Sequence, residues 1–158
     1  MANTQAMCTS FMGELMTATH NFGTAPIRAA TTADTFKGAL FLTSATLNAS
    51  TTAYSTSGEV SGANYSAGGV TVTNATAPIA TNSSVTAGVA YWTPSASLTY
   101  TNVTLTTAFD TVLIYNSTQS NKSVSVHTFG SQTITAGTFT LTMPSNTTST
   151  ALLRLSTT

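Results

Sequence analysis

The chain has 158 residues, enough to bury a core of its own, yet only 5% of them are charged, against about 25% in a typical soluble protein. Four cations balance four anions, which leaves no basic patch to grip nucleic acid and no acidic tail. The single cysteine, Cys8, excludes an internal disulfide.

Ser and Thr together make up about a third of the chain, far above ordinary usage. Disorder is the first reading of such a composition. Against it stand the 41% hydrophobic content and the strict alternation of several segments, which disordered chains lack. The hydroxyls are therefore read as the polar face of β-structure, where Thr packs well. No apolar run approaches the length of a membrane span. The opening "MANTQAMCTSFMGELM" lacks a basic segment followed by an apolar one, so the expectation is a protein made and folded in a cytoplasm.

In chain order, the first predicted element is a helix over residues 4–20. Met7, Phe11, Leu15 and Ala18 recur at spacings of four and three, Asn3 or Thr4 stands at the cap position, and Gly23 lies past the end. Met7, Met12 and Met16 either fill a core or adapt to an uneven partner surface. From "DTFKGALFL" (34–42) the text changes to short apolar runs between turn signals. "GEVSGANYSAGG" (58–69) is a strand-breaking loop or a bulged hairpin. Residues 73–88 have no periodicity and are predicted to form a flexible surface loop or arm. Strands are predicted at "VTV" (70–72), "VAYWT" (89–93), "SLTYTNVTL" (97–105), "TVLIYN" (111–116), "SVSVHTF" (123–129), "QTIT" (132–135), "TFTLTM" (138–143) and "ALLRL" (151–155).

"TAGT" (135–138) has the chemistry of a tight hairpin turn, with Gly137 supplying a positive φ. Ile134, Phe139, Leu141 and Met143 should then face the core, and Thr138, Thr140 and Thr142 the outside. The expected fold is mainly β: an antiparallel β-sandwich or barrel preceded by one short N-terminal helix. It forms a single domain over 1–158, with a helical segment at 1–23 and a β domain at 34–158.

Catalytic motifs are weak. His127, Asp110 and one of many serines would compose a nucleophilic triad, but no G-x-S-x-G turn is present and Ser is too common to inform. His127 alternates with Val124 and Val126, which places it on the opposite face of its strand, exposed or hydrogen-bonded. His20, His127, Cys8 and the acids show no metal-ligand spacing. N-x-S/T triplets begin at Asn48, Asn64, Asn74, Asn82, Asn102, Asn116, Asn121 and Asn146. Without a secretory signal they read as turns opened by Asn. Tyr91, Trp92 and Tyr100 offer rigid area for a sugar or for an interface. The expectation is a protein without enzymatic activity, cofactor or metal.

The scarcity of charge is itself a signal. A free β-protein guards its strand edges with Lys and other charges. Here the edges must be covered by loops, by the helix or by other subunits, which predicts self-association as a dimer or trimer. Met7, Phe11, Leu15, Tyr65, Tyr91 and Trp92 are the candidate interface residues.

The stretches "MANTQAMCTSFMGEL", "TTADTFKGALFL", "GEVSGANYSAGG", "AFDTVLIYNSTQSNKSVSVHTFG", "SQTITAGTFTLTMP" and "ALLRL" resemble small structural proteins encoded among the virion genes of tailed bacteriophages. The resemblance runs over nearly the whole chain. It implies a virion component, either a capsid cement or decoration protein bound to the major capsid protein, or a tail or fibre-associated protein. It carries over no catalytic residue.

Overall fold

The computed structural model describes residues 3–8, 11, 15, 19–20, 22, 33–73, 78–81 and 89–156. Among the described residues eight strands form two antiparallel sheets. They are β1 (Ala6–Met7), β2 (Phe36–Leu42), β3 (Val70–Thr71), β4 (Ile79–Thr81), β5 (Val89–Trp92), β6 (Leu98–Asn116), β7 (Lys122–Leu141) and β8 (Leu153–Ser156). The larger sheet has the order β1-β7-β6-β2-β3, the smaller β4-β5-β8. The ends of the larger sheet, β1 and β3, do not pair with each other, so the barrel expectation fails.

The predicted helix over 4–20 is not supported either: its described start is extended, and although Phe11 and Leu15 are each helical, the described residues form strands as their only named elements. Ala6 pairs with Val126, Met7 with Ser125, and the Cys8 N–H donates to the Val124 carbonyl at 3.1 Å. The expected cap residue, Asn3, instead donates to the Asp110 carboxylate at 2.9 Å and accepts from the Leu47 N–H at 2.9 Å. The β7 edge offers unpaired backbone groups, and satisfying them outweighs a helical propensity already weakened by Thr and Gly. Residues 9–10, 12–14 and 16–18 of the predicted helix lie outside the described residues. So do 74–77 and 82–88 of the predicted loop, while its middle forms strand β4.

β6 and β7 are much longer than the sequence suggested, at 19 and 20 residues. Two predicted strands fuse into β6 and three into β7. Asn116 to Asn121 form the turn between them, as expected, with Ser120 and Asn121 at positive φ. "TAGT" is no turn. Its flanks, Ile134 and Phe139, both pair with β6, at Leu105 and Tyr100, rather than with each other. Gly137 pairs with Val103, and Ala136 carries the positive φ of 45°. The Ala136 N–H donates to Thr104 Oγ1 at 3.0 Å. The segment is thus a bulge inside a continuing strand, and bulges bend and twist the strands that hold them.

The bend is large. Phe129 and Phe139 are ten positions apart on one strand, which would separate them by ~33 Å if it ran straight. Their ring centroids are 5.0 Å apart, and Phe109 touches both, at 5.9 and 5.3 Å. The far half of the hairpin therefore doubles back over the near half. A Cβ on Gly38 would stand 2.5 Å from Leu98 Cδ1, and the Tyr100 hydroxyl donates to the Gly38 carbonyl at 2.8 Å. Tyr54 covers the opposite face, stacked on Tyr115 at 4.4 Å and edge-on to Phe41 at 6.4 Å. This explains why Thr111 to Asn116 are buried at every position instead of alternating. In the outer arm the predicted alternation holds: Ile134, Phe139, Leu141 and Met143 are half-buried against the core, and Thr138, Thr140 and Thr142 are exposed.

The chain covers most of its own edges. Glu59 bridges to Phe41, the Val60 N–H donates to Leu40, Val70 pairs with Gly38, and the Val72 N–H donates to Phe36. Residues 59–72 thereby close the outer side of β2. Several Asn turns behave as the triplets suggested. Asn64 and Asn121 adopt positive φ in turns, and Asn48 Oδ1 accepts from the Ser50 N–H at 2.8 Å; Asn102, also at positive φ, sits instead at a bulge inside β6. No helix among the described residues is long and apolar enough to cross a membrane.

Candidate functional site

Five of the six candidate interface residues come together. Met7, Phe11, Leu15, Tyr91 and Trp92 line one shallow groove, whose volume is about 70 Å³ and whose exposed lining is almost wholly apolar. β1 brings Met7. β5 brings Ala90 and Trp92 on the same face, and β8 adds Leu153 and Leu155, directly opposite them in the register. Phe11 and Trp92 are each 2% exposed, so they form the floor rather than the contact surface. Leu155, 43% exposed, is the most open large apolar side chain in the groove.

The floor is an aromatic cluster that joins the two sheets. Phe22 stacks on Phe36 of β2 at 4.4 Å and meets Trp92 of β5 at 4.7 Å, with Phe11 edge-on at 5.7 Å. Phe22, Leu153 and Leu155 were not singled out from the sequence. The alternation of Leu with Arg154 in "ALLRL" was the one signal for the last two. Beside this cluster lies a buried polar knot. Asn116 Oδ1 accepts from the Thr118 and Gln119 N–H groups, both at 3.1 Å, which fixes the amide orientation. Its Nδ2 then donates to Asp34 at 2.9 Å and to His20 Nδ1 at 3.1 Å. His20 Nδ1 is therefore an acceptor without a proton. The knot ties the β6–β7 turn to the segment before β2.

Tyr65, the sixth candidate, sits elsewhere. Its hydroxyl donates to Glu59 at 2.8 Å and accepts from the Leu40 N–H at 3.0 Å, and its ring stacks on Tyr100 at 6.0 Å. Glu59 also accepts from Tyr54 at 2.6 Å and from the Gly68 N–H at 2.7 Å, while Tyr115 donates to the Gly68 carbonyl at 2.9 Å. One carboxylate thus holds the 58–69 loop through two phenols and a backbone amide. Tyr100 is 2% exposed and cannot serve as a sugar platform.

Burial, reinforced by the Glu59 charge, raises the pKa values of Tyr54, Tyr65, Tyr100 and Tyr115, the last to about 12. The fold favours the neutral phenols. Their contribution is complete below pH ~10, the ordinary tyrosine value; that of Tyr115 is lost as pH rises through about 12, and those of Tyr54, Tyr65 and Tyr100 at still higher pH. The expected result is alkaline unfolding in that window, with tyrosinate absorbance and loss of β-sheet circular dichroism rising together. Tyrosines that ionise near pH ~10 with the sheet intact would contradict the network.

Of the triad reading, Ser125 and His127 meet, but Asp110 is engaged elsewhere. His127 Nε2 lies 2.8 Å from Ser125 Oγ, and burial lowers the imidazole pKa to about 4. Asp110 is engaged by Asn3 and by the Thr111 hydroxyl at 2.7 Å. Among the described residues no three His, Cys, Asp or Glu side chains cluster as a metal site. The arrangement can bury an apolar partner. No protein-family model matches the chain, and no curated protein or solved structure is significantly similar to it.

Proposed function

We propose that this is a structural protein of a bacteriophage virion, most simply a capsid cement protein that docks on the coat through its apolar groove. The carrying observation is the convergence of Met7, Leu15, Tyr91 and Leu155 on one apolar surface in a chain with so few charges. The phage assignment rests on the resemblance of the sequence stretches alone. In this reading the doubled hairpin and the smaller sheet act as a sandwich-like block that keeps the groove rigid. Each copy adds apolar contact at ~25 cal/mol per Å², repeated over the shell lattice. The hairpin length favours a second reading, a tail or fibre-associated component, since rings built from strands need long hairpins. Copy number per particle separates the two.

The test strips the protein from particles and adds it back. Rebuilt particles should release DNA at a higher temperature than stripped ones, at low and at high salt alike, because the bond is apolar. Leu155→Glu, at an exposed position, should leave the fold intact and abolish the rescue. Equal release temperatures for stripped and rebuilt particles, or location at the tail tip, would exclude the cement role.

A further inference from the structure

Between the 62–70 loop and the bulge in β6 lies a cavity of about 130 Å³ that shares no lining residue with the apolar groove. Loop and strand are clamped together around it. Asn64 Nδ2 donates to the Asn102 carbonyl at 2.8 Å, the Thr104 N–H donates to the Ala63 carbonyl at 3.0 Å, and a Cβ on Gly62 would drive into the Thr104 carbonyl. The inner wall is apolar and fixed. Tyr100 and Val103 are buried, and Val70 is half-buried. The Tyr65 ring has Tyr100 stacked on it at 6.0 Å, and its hydroxyl is locked between Glu59 and the Leu40 N–H. The rim is polar. Asn64, Ser66 and Thr101 are exposed there. Asn64 Oδ1 and the hydroxyls of Ser66 and Thr101 make no hydrogen bond within the protein.

This chemistry selects its ligand by elimination. Among the described residues, none that lines the cavity is charged. A phosphate, carboxylate or ammonium group would lose water there and meet no opposite charge. A wholly apolar molecule would cover the Asn64 oxygen and two hydroxyls and leave them unpaired. A neutral polyol ring satisfies both ends of the site. Its hydroxyls donate and accept, as the rim does, and its C–H face lies against the Tyr65 and Val70 wall. We propose that this cavity binds a neutral sugar ring as the terminal residue of a glycan, with Asn64, Ser66 and Thr101 reading its hydroxyls. The exposed rim leaves the rest of the glycan free to run into solvent. The wall is held in place by the Glu59 and Asn64 hydrogen bonds before any ligand arrives, so little ordering is left to oppose binding. The inference stands on this cavity alone, whether or not the groove docks on a coat.

Nuclear magnetic resonance of the isotope-labelled protein tests it, with the methyl glycosides of glucose, galactose, mannose and N-acetylglucosamine as probes. At least one should give saturable shifts at the backbone amides of 64–70 and 100–104, with those of β8 unmoved. The matching free sugar should bind about as well, whereas the methyl glucuronide should bind about tenfold more weakly or worse, because its carboxylate finds no counter-charge. Ser66→Ala with Thr101→Val removes two of the three free polar groups at exposed positions. It should raise the dissociation constant about tenfold or more, with an unchanged circular dichroism spectrum. Leu155→Glu in the groove should leave sugar binding as it was. The proposal is overturned if no glycoside gives saturable shifts, if the shifts lie away from 64–70 and 100–104, or if the double variant binds like the parent. Equal binding of the glucuronide would overturn the neutral class, and binding of a free sugar but not of its glycosides would overturn the glycan as its source.

Discussion

Phe109→Ala is expected to cost about 3–5 kcal/mol, the range for removing a large buried aromatic. Phe109 is fully buried at the point where β6 bends, and its ring touches Phe129 on the near part of β7 and Phe139 on the far part. Its loss empties the contact that holds the two halves of the hairpin together. Phe139→Ala should cost less, about 2–3 kcal/mol, because that ring is half-buried. Thr140→Ala, on the exposed side of the same arm, should fall within about ±0.5 kcal/mol. Denaturant unfolding of the three variants gives the comparison. A loss for Phe139→Ala as large as that for Phe109→Ala would mean that the far arm is buried more deeply than described.

Gly69→Ala should be nearly as damaging, at about 2–5 kcal/mol from backbone strain and overpacking together. Gly69 has a φ of +71°, and a Cβ there would drive into the Gly38 carbonyl and the Ala39 Cα. Neither neighbour can move without breaking the pairing of β2 with β3. The variant should release residues 59–72 from the β2 edge, so the thermal midpoint falls and the exposed edge promotes aggregation. Gly130→Ala is the control. That site has an ordinary φ and open space around it, and the change should be neutral or stabilising by about 0.4–1 kcal/mol. If both alanines behave alike, the close approach of Gly69 to β2 is wrong.

Four features were legible in the residues alone: the β class, the place of each main apolar run, the Asn turns, and the inward and outward sides of Ile134 to Met143. All depend on local chemistry, namely period-two alternation and the φ preferences of Asn and Gly, which act over a few residues. The groove was legible as a set of names, five of them, because large apolar side chains in a chain this poor in charge must be covered by something. Their meeting was not, since Met7 on β1 of the larger sheet and Trp92 on β5 of the smaller one come together through the packing of the two sheets on the Phe22–Phe36–Trp92 cluster. The same limit explains the misread "TAGT". A hairpin turn and a strand bulge use the same small residues, and the choice between them was made by Tyr100, Val103 and Leu105 on a distant strand. Met7, Phe11 and Leu15 keep helical spacing, but the helix expected there lost its first residues to the open edge of β7. Sequence fixes what each segment can do locally; which option it takes was decided by the unpaired backbone groups and aromatic surfaces that the rest of the chain presented to it.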